Sequence, residues 1–375
     1  MAPAAVKSSF IPFHRPSIGQ EEIQEVADTL RSGWLTTGPK THQFEEEFRR
    51  YIGAPFALAV NSATAGLHLT LASLNLAAGD EVITTPMTFC STVHAIRQAG
   101  AQPVLADVLP DGNIDPASVR DRITSRTRGV LPVHLGGLPC RMTELWNIAA
   151  QDGLFVLEDA AHAVGSRYLG YPIGGGHPEL NLRSAATVFS FYATKNLTTG
   201  EGGMVTTHDA SFLERMRLLC LHGISKDAWD RYTERGTWFY QVIEAGYKYN
   251  LSDLQSAVGM PQWRKQEAFI SVRRHLAAIY DQWFRNCPEL ELPPDSPEAR
   301  HCWHLYILRL NLERLACDRG EFIMALKQRG ICCSVHFIPI PLHPAFADLA
   351  ADSRKSSGLG TLSANGFDST LSGDV

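Results

Sequence analysis

The sequence predicts an α/β protein: a mostly parallel sheet covered by helices on both faces, followed by a smaller α+β unit. Three observations carry this. From Phe56 to Gln151 short apolar runs alternate with helical patterns, the strand-helix order that builds a parallel sheet. Runs such as L-F-V-L at 154–157 are apolar throughout, as strands buried on both faces are. Strand, helix and strand then recur at 304–310, 319–328 and 333–337, the pattern of a separate small unit. With 375 residues the chain is long enough for two domains. The division expected is a large domain over 12–260, a small one over 261–350, and a tail over 351–375.

Phe10 to Arg15 is extended by its prolines. Gln20–Arg31 is predicted helical, with Ile23, Val26, Ala27 and Leu30 on one face, and Ser32-Gly33 ends it. The turn W-L-T-T-G-P at 34–39 precedes a helix over Thr41–Tyr51, acidic at its start as the helix dipole favours. Strands follow at Phe56–Val60, Glu81–Thr85, Val104–Val108 and Gly129–Val133. Helices separate them at Leu67–Leu76, Thr92–Ala99, Pro116–Ile123 and Thr143–Gln151. Arg167–Leu182 is a Gly-rich loop, Asp209–Leu221 a helix, and His222–Glu244 an aromatic stretch suited to a lid or a subunit contact. Helices over Ser252–Met260 and Glu267–Asn286 lead into the small unit. The last residues, 351–375, are rich in Ser and Gly without apolar periodicity and read as disordered.

Apolar residues make up 45%, charged residues 19%, and the net charge is -5. No basic block stands out, which argues against nucleic acid and anionic membrane as partners. No run of 18 apolar residues suggests a spanning helix. The first residues lack an apolar export core, so a cytoplasmic protein is expected. The eight cysteines are scattered without a C-x-x-C pair, and are read as small apolar residues rather than disulfides or metal ligands.

Chemistry concentrates in two segments. In V-F-S-F-Y-A-T-K-N-L-T-T-G-E-G-G-M-V at 188–205, Lys195 follows an apolar strand pattern. A buried lysine is costly unless its amine loses its charge or is used, and a Schiff base with a carbonyl compound is one such use. In L-F-V-L-E-D-A-A-H at 154–162, Asp159 ends a strand, where ligands of open α/β sheets bind. A carboxylate there suits a pyridinium nitrogen, because its charge keeps the ring protonated and electron-poor. Taken singly, Lys195 also reads as a surface turn and Asp159 as a helix cap. N-S-A-T-A-G at 61–66 sits between a strand and a helix, a phosphate-binding geometry as well as a cap.

These segments, with N-S-A-T-A-G-L-H-L at 61–69 and G-Y-K-Y-N-L-S-D-L at 246–254, resemble the DegT/DnrJ/EryC1/StrS sugar-nucleotide aminotransferases over roughly Pro12 to Pro344. Within the group the resemblance is strongest to the branch that makes UDP-4-amino-4-deoxy-L-arabinose. It implies an aspartate-aminotransferase-like fold (fold type I) and pyridoxal 5'-phosphate as cofactor. The amino donor would be L-glutamate, leaving as 2-oxoglutarate, and the acceptor a nucleotide-linked keto-sugar aminated at C4, for surface polysaccharide, lipid A or antibiotic sugars. It also implies a homodimer with shared sites.

Residue by residue, the resemblance makes Lys195 the covalent and proton-transferring lysine and Asp159 the partner of the ring nitrogen. Thr64, Ala65 and Ser190 fall on the phosphate, joined by Asn250 from the neighbouring subunit, although Asn250 also reads as a helix cap. Phe89, alone a core residue, becomes the aromatic stacked on the ring. His162 falls by the phenolic oxygen. Thr36, Thr37 and His336 fall on the substrate. A 3-keto sugar or cyclitol substrate and a non-catalytic regulatory protein are the alternatives. The related dehydratases carry His at the lysine position, and here it is lysine. The family's closing Leu-Pro-rich strand and final helix have no counterpart in 351–375.

Overall fold

The computed structural model of the chain describes residues 10–225, 239–294 and 296–349. Its centre is a seven-stranded sheet of β1 (Phe56–Val60), β2 (Glu81–Thr84), β3 (Gln102–Leu105), β4 (Thr127–Leu131), β5 (Phe155–Asp159), β8 (Ala186–Ser190) and β9 (Gly203–Thr207). Between β5 and β8 lies a short hairpin, β6 (Arg167–Tyr168) and β7 (Tyr171–Pro172). The order across the sheet is β1-β9-β8-β5-β4-β2-β3. β8, β5, β4, β2 and β3 run parallel, while β9 is antiparallel to both its neighbours.

Helices α1 (Gln20–Ser32), α2 (Pro39–Ile52), α3 (Ala63–Ser73), α4 (Cys90–Gln98), α5 (Pro116–Asp121), α6 (Met142–Asp152), α7 (Ala210–Cys220) and α8 (Asp253–Arg264) surround the sheet. Alternation along β1 shows how both faces are covered. Ala57 and Ala59 join one core with Phe44 and Phe48 of α2, Leu145 and Trp146 of α6, and Met260 and Trp263 of α8. Leu58 and Val60 join a second core with Leu67 and Leu71 of α3, Ile96 of α4 and Met216 of α7. Phe48 is fully buried, its ring 4.8 Å from that of Trp263 and 5.0 Å from that of Phe189. Truncating such an aromatic costs about 3–5 kcal/mol.

Helix α2 begins at Pro39, a favoured first helical residue, and its first turn holds no acid. The predicted acidic start is corrected accordingly. The carboxylate at this helix start is Asp253 of α8, which accepts from the Gly38 and Thr41 amides at 2.8 and 2.9 Å. Distance in sequence hid it.

After α8 come α9 (Gln266–Phe284), the two-residue strands β10 (Leu290–Glu291), β11 (Ala299–Arg300) and β12 (Arg309–Leu310), and α10 (Arg319–Gln328). The strands predicted at 304–310 and 333–337 do not form, apart from β12 pairing with β10. Their backbone groups find other partners. Arg273 of α9 donates to the Trp303 and His304 carbonyls, each at 3.1 Å. The Leu305 amide donates to the Gly136 carbonyl at 3.1 Å. A satisfied backbone needs no ladder. Trp229, Tyr232 and Trp238 of the aromatic stretch, and the tail 351–375, lie outside the described residues. No described helix is long and apolar enough to cross a membrane.

Candidate active site

The carboxyl ends of β5 and β8 lie side by side, with Asp159 opposite Val188. Here β9 enters from the other direction, and its first residue, Gly203, pairs with both Ser190 and Val60. One glycine thus joins the end of β8 to the chain that starts α3. A Cβ on Gly203 would stand 2.8 Å from the Phe189 carbonyl oxygen and 2.9 Å from the Ala63 nitrogen, so only glycine lets β9 approach so closely.

At the start of α3, Ser62 is the N-cap and accepts from the Ala65 amide at 3.1 Å. Ala65 is therefore already engaged, while Thr64 is exposed at the helix end. Ser190 is buried, and its hydroxyl oxygen accepts from the Tyr192 amide at 3.3 Å. A helix start and a hydroxyl brought together by Gly203 make a cradle with the donor set an anion needs.

β8 stops at Ser190 and Lys195 stands five residues on, in a half-buried turn that precedes β9, the strand, turn and strand that the pattern suggests. Its amide donates to the Tyr192 carbonyl at 2.9 Å. Burial lowers the Lys195 amine from its ordinary 10.5 to about 8, and the Asp159 charge only partly offsets this. Desolvation disfavours the ammonium, so the neutral amine is within reach near neutral pH.

Asp159 is only 4% exposed. Burial raises its carboxyl, and a Thr92 hydroxyl, the Ala161 amide and the charges of Lys195 and His134 pull it back down. The next residue back, Glu158, faces the other way. It accepts from Ser184 Oγ at 2.5 Å and lies 2.9 Å from His134 Nε2, so it belongs to the scaffold.

His162 follows in the turn after β5. The Gly136 amide donates to its Nδ1 at 3.2 Å, and burial holds the ring's pKa well below the ordinary value. The ring stacks on Phe337 at 5.7 Å and lies 4.5 Å from the ring of His304. His336 comes within 6.4 Å of His162 and stacks on Phe13 at 5.5 Å. Burial and the Lys195 charge hold His336 below its ordinary pKa. Residues near the start and end of the described chain thus reach this edge. Phe89 is not the core residue its composition suggests. It is 58% exposed, with Phe337 6.2 Å away, so a ring face is open to a flat ligand.

Asn250 does not cap α8. Ser252 does, in a capping box with Gln255. Asn250 instead pairs with Val60, donates to Thr37 Oγ1 at 2.7 Å and accepts from Lys248 Nζ at 2.6 Å. Thr37 is buried and also donates to the Leu251 carbonyl, so its hydroxyl is spent on the fold, whereas Thr36 is exposed. Residues not singled out from sequence complete the edge. Thr88 and Thr92 stand beneath Asp159. Asn196 donates to the Cys302 carbonyl at 3.3 Å. His304 is 7% exposed, and its Nδ1 has no hydrogen-bond partner among the described residues. The signal for Thr88 and Thr92 was their i, i+4 spacing across a helix start, directly beside Phe89. A cleft of about 570 Å³ lined by Trp146, Phe155, Arg183 and His208 lies at the opposite end of the strands, away from these groups.

The chain is 47% identical over 342 residues to the spore coat polysaccharide biosynthesis protein SpsC of Bacillus subtilis, covering 91% of this chain and 86% of that protein. It superposes on the putative sugar aminotransferase Spr1654 of Streptococcus pneumoniae, solved in its PLP form, with TM-score 0.83 and 31% identity, covering 92% and 90% of the two chains. Helicobacter pylori PseC, an aminotransferase of pseudaminic acid biosynthesis, superposes with TM-score 0.83 and 29% identity, covering 91% and 88%. The same Spr1654 protein is also solved in a PMP form, and the fold shared with these neighbours is that of the type I pyridoxal-phosphate transaminases. The family model matches residues 16–358. The chain belongs to the DegT/DnrJ/EryC1/StrS aminotransferase family, whose members are pyridoxal-phosphate-dependent transaminases.

Proposed function

We propose that this protein moves an amino group from L-glutamate to the C4 keto carbon of a nucleotide-linked sugar, in the cytoplasm, as a homodimer. The observation that carries the reading is that a half-buried amine, Lys195, held near pKa 8, feels the charge of a buried carboxylate, Asp159, at the carboxyl ends of the parallel strands. The relatives named for pseudaminic acid and for spore coat polysaccharide support a sugar substrate.

The residues fit pyridoxal phosphate. The Gly203 junction leaves a helix start beside Ser190, Asp159 is buried at the end of β5, and Phe89 offers an open ring face. When bound, the cofactor supplies an electron sink for the carbanion at the substrate carbon. Lys195 would hold it covalently and then carry the proton between substrate and cofactor as base and acid. Asp159 would keep the ring nitrogen protonated. His162, with Nδ1 occupied by Gly136, would present Nε2–H. Thr64 and Ser190 would hold the phosphate, with Asn250 of a second copy, and Ala65 would join them only by giving up its bond to Ser62. Thr36 and His336 would face the sugar nucleotide, with Thr37 holding the loop behind Thr36 through its bonds to Asn250 and Leu251. The deciding experiment offers a panel of nucleotide 4-keto and 3-keto sugars with glutamate and follows 2-oxoglutarate. Turnover confined to 3-keto sugars moves the assignment to C3, and no turnover with any sugar overturns it.

A further inference from the structure

A carboxylate as buried as Asp159 stays ionised only if its oxygens are hydrogen-bonded. Its Oδ1 accepts from the Ala161 amide at 3.1 Å and its Oδ2 from Thr92 Oγ1 at 2.8 Å. Thr92 lies in the first turn of α4, fully buried, and its Oγ1 is 2.7 Å from Thr88 Oγ1, which is buried as well. An ionised carboxylate only accepts. Thr92 must therefore donate to Asp159, which leaves Thr88 as the donor to Thr92. The two hydroxyls form a directed chain ending on Oδ2, and each bond polarises the next.

We propose that Thr92, backed by Thr88, is a positioning residue for transamination: it fixes the Asp159 carboxylate in its ionised form and orients it toward the ring nitrogen of the cofactor. This rests on the reading of Asp159 as the partner of that nitrogen. The side chain that fixes the electron sink then comes from the helix next to Phe89, so one element serves the ring's face and, through Asp159, its nitrogen. Nearby charges act in the same direction. Lys195 and His134 also favour the ionised carboxylate, but His134 is itself engaged with Glu158.

The test titrates the apo protein with pyridoxamine phosphate and with its 1-deaza analogue, in which the ring nitrogen is replaced by carbon. Neither ligand needs Lys195, and the ratio of their dissociation constants isolates the nitrogen contact. Thr92→Val should lower the preference for the nitrogen ring by about tenfold or more, the worth of one hydrogen bond to a charged group, with deaza affinity retained. Thr92→Ser should restore it. An unchanged ratio in Thr92→Val, with the preference lost in Asp159→Asn, overturns the Thr92 proposal and leaves Asp159 in its role. A ratio unchanged in Asp159→Asn overturns the Asp159 reading and the proposal with it. Should Thr92→Val lose both ligands through misfolding, Thr88→Val carries the test: a lowered ratio supports the chain of hydroxyls, and an unchanged one overturns it.

Discussion

The Gly136 amide points its proton at Nδ1 of His162, 3.2 Å away. An N–H can only meet an unprotonated ring nitrogen, so His162 carries its proton on Nε2. Burial and the charges of Lys195 and His336 keep a second proton off. The expected outcome is a nitrogen-15 spectrum in which His162 shows the Nε2–H form, unchanged from pH 8 down to pH 6. Titration of this ring near its ordinary value of 6.5 would contradict the assignment.

Lys195 should react with an amine-directed acylating reagent along a pH profile whose midpoint lies near 8 in the apo protein, not near 10.5. Asp159→Asn should move the midpoint lower, since the carboxylate is what raises it. The same shift has a stability consequence. The unfolded chain keeps this proton up to about 10.5, whereas the folded chain releases it near 8. Between these values the unfolded state binds more protons, so apo stability gains from this group as pH rises through that window, and its cost is full below it. Lys195→Ala should remove that pH dependence, abolish the visible absorbance of the lysine-bound cofactor, and reduce transamination by orders of magnitude.

Gly203→Ala should destabilise the protein by about 1–3 kcal/mol, the usual cost of overpacking a rigid site. The added carbon would meet backbone atoms of Phe189, Ala63 and Ser62 within 2.9 Å. Denaturant melts of the apo protein measure this. Affinity for inorganic phosphate should fall in parallel, because the start of α3 and Ser190 would be pushed apart.

The shared site is tested by mixing. Homodimers of Lys195→Ala and of Asn250→Ala are each expected to be inactive. Dissociated and reassociated together, they should regain about a quarter of wild-type activity, since half the pairs are mixed and each mixed pair has one intact site. No recovery would mean that Asn250 serves its own chain, to which it is tied through Val60 and Thr37.

The parallel sheet and its helices were legible because runs such as 154–157 are apolar throughout and leave a local pattern. Lys195 and Asp159 were legible because each follows such a run. Thr92 was not, since its importance depends on Asp159, 67 residues away. Asp253 at the start of α2 was hidden the same way. The region after residue 300 was misread because alternation there reflects contacts with the turn at Gly136 and with Arg273, not pairing between strands.

The Gly203 junction also bears on how the protein is made. Val60 and Gly203 pair across more than a third of the chain, and contacts so distant in sequence are slow to close. The α3 start can form early as a local element, but the cradle proposed for the phosphate does not exist until β9 has been inserted between β1 and β8. A nascent chain that has not yet reached Gly203 therefore has no place to hold the cofactor. Loading must follow closure of the sheet, and the ligand can stabilise only a chain that has already paired β9 with β1.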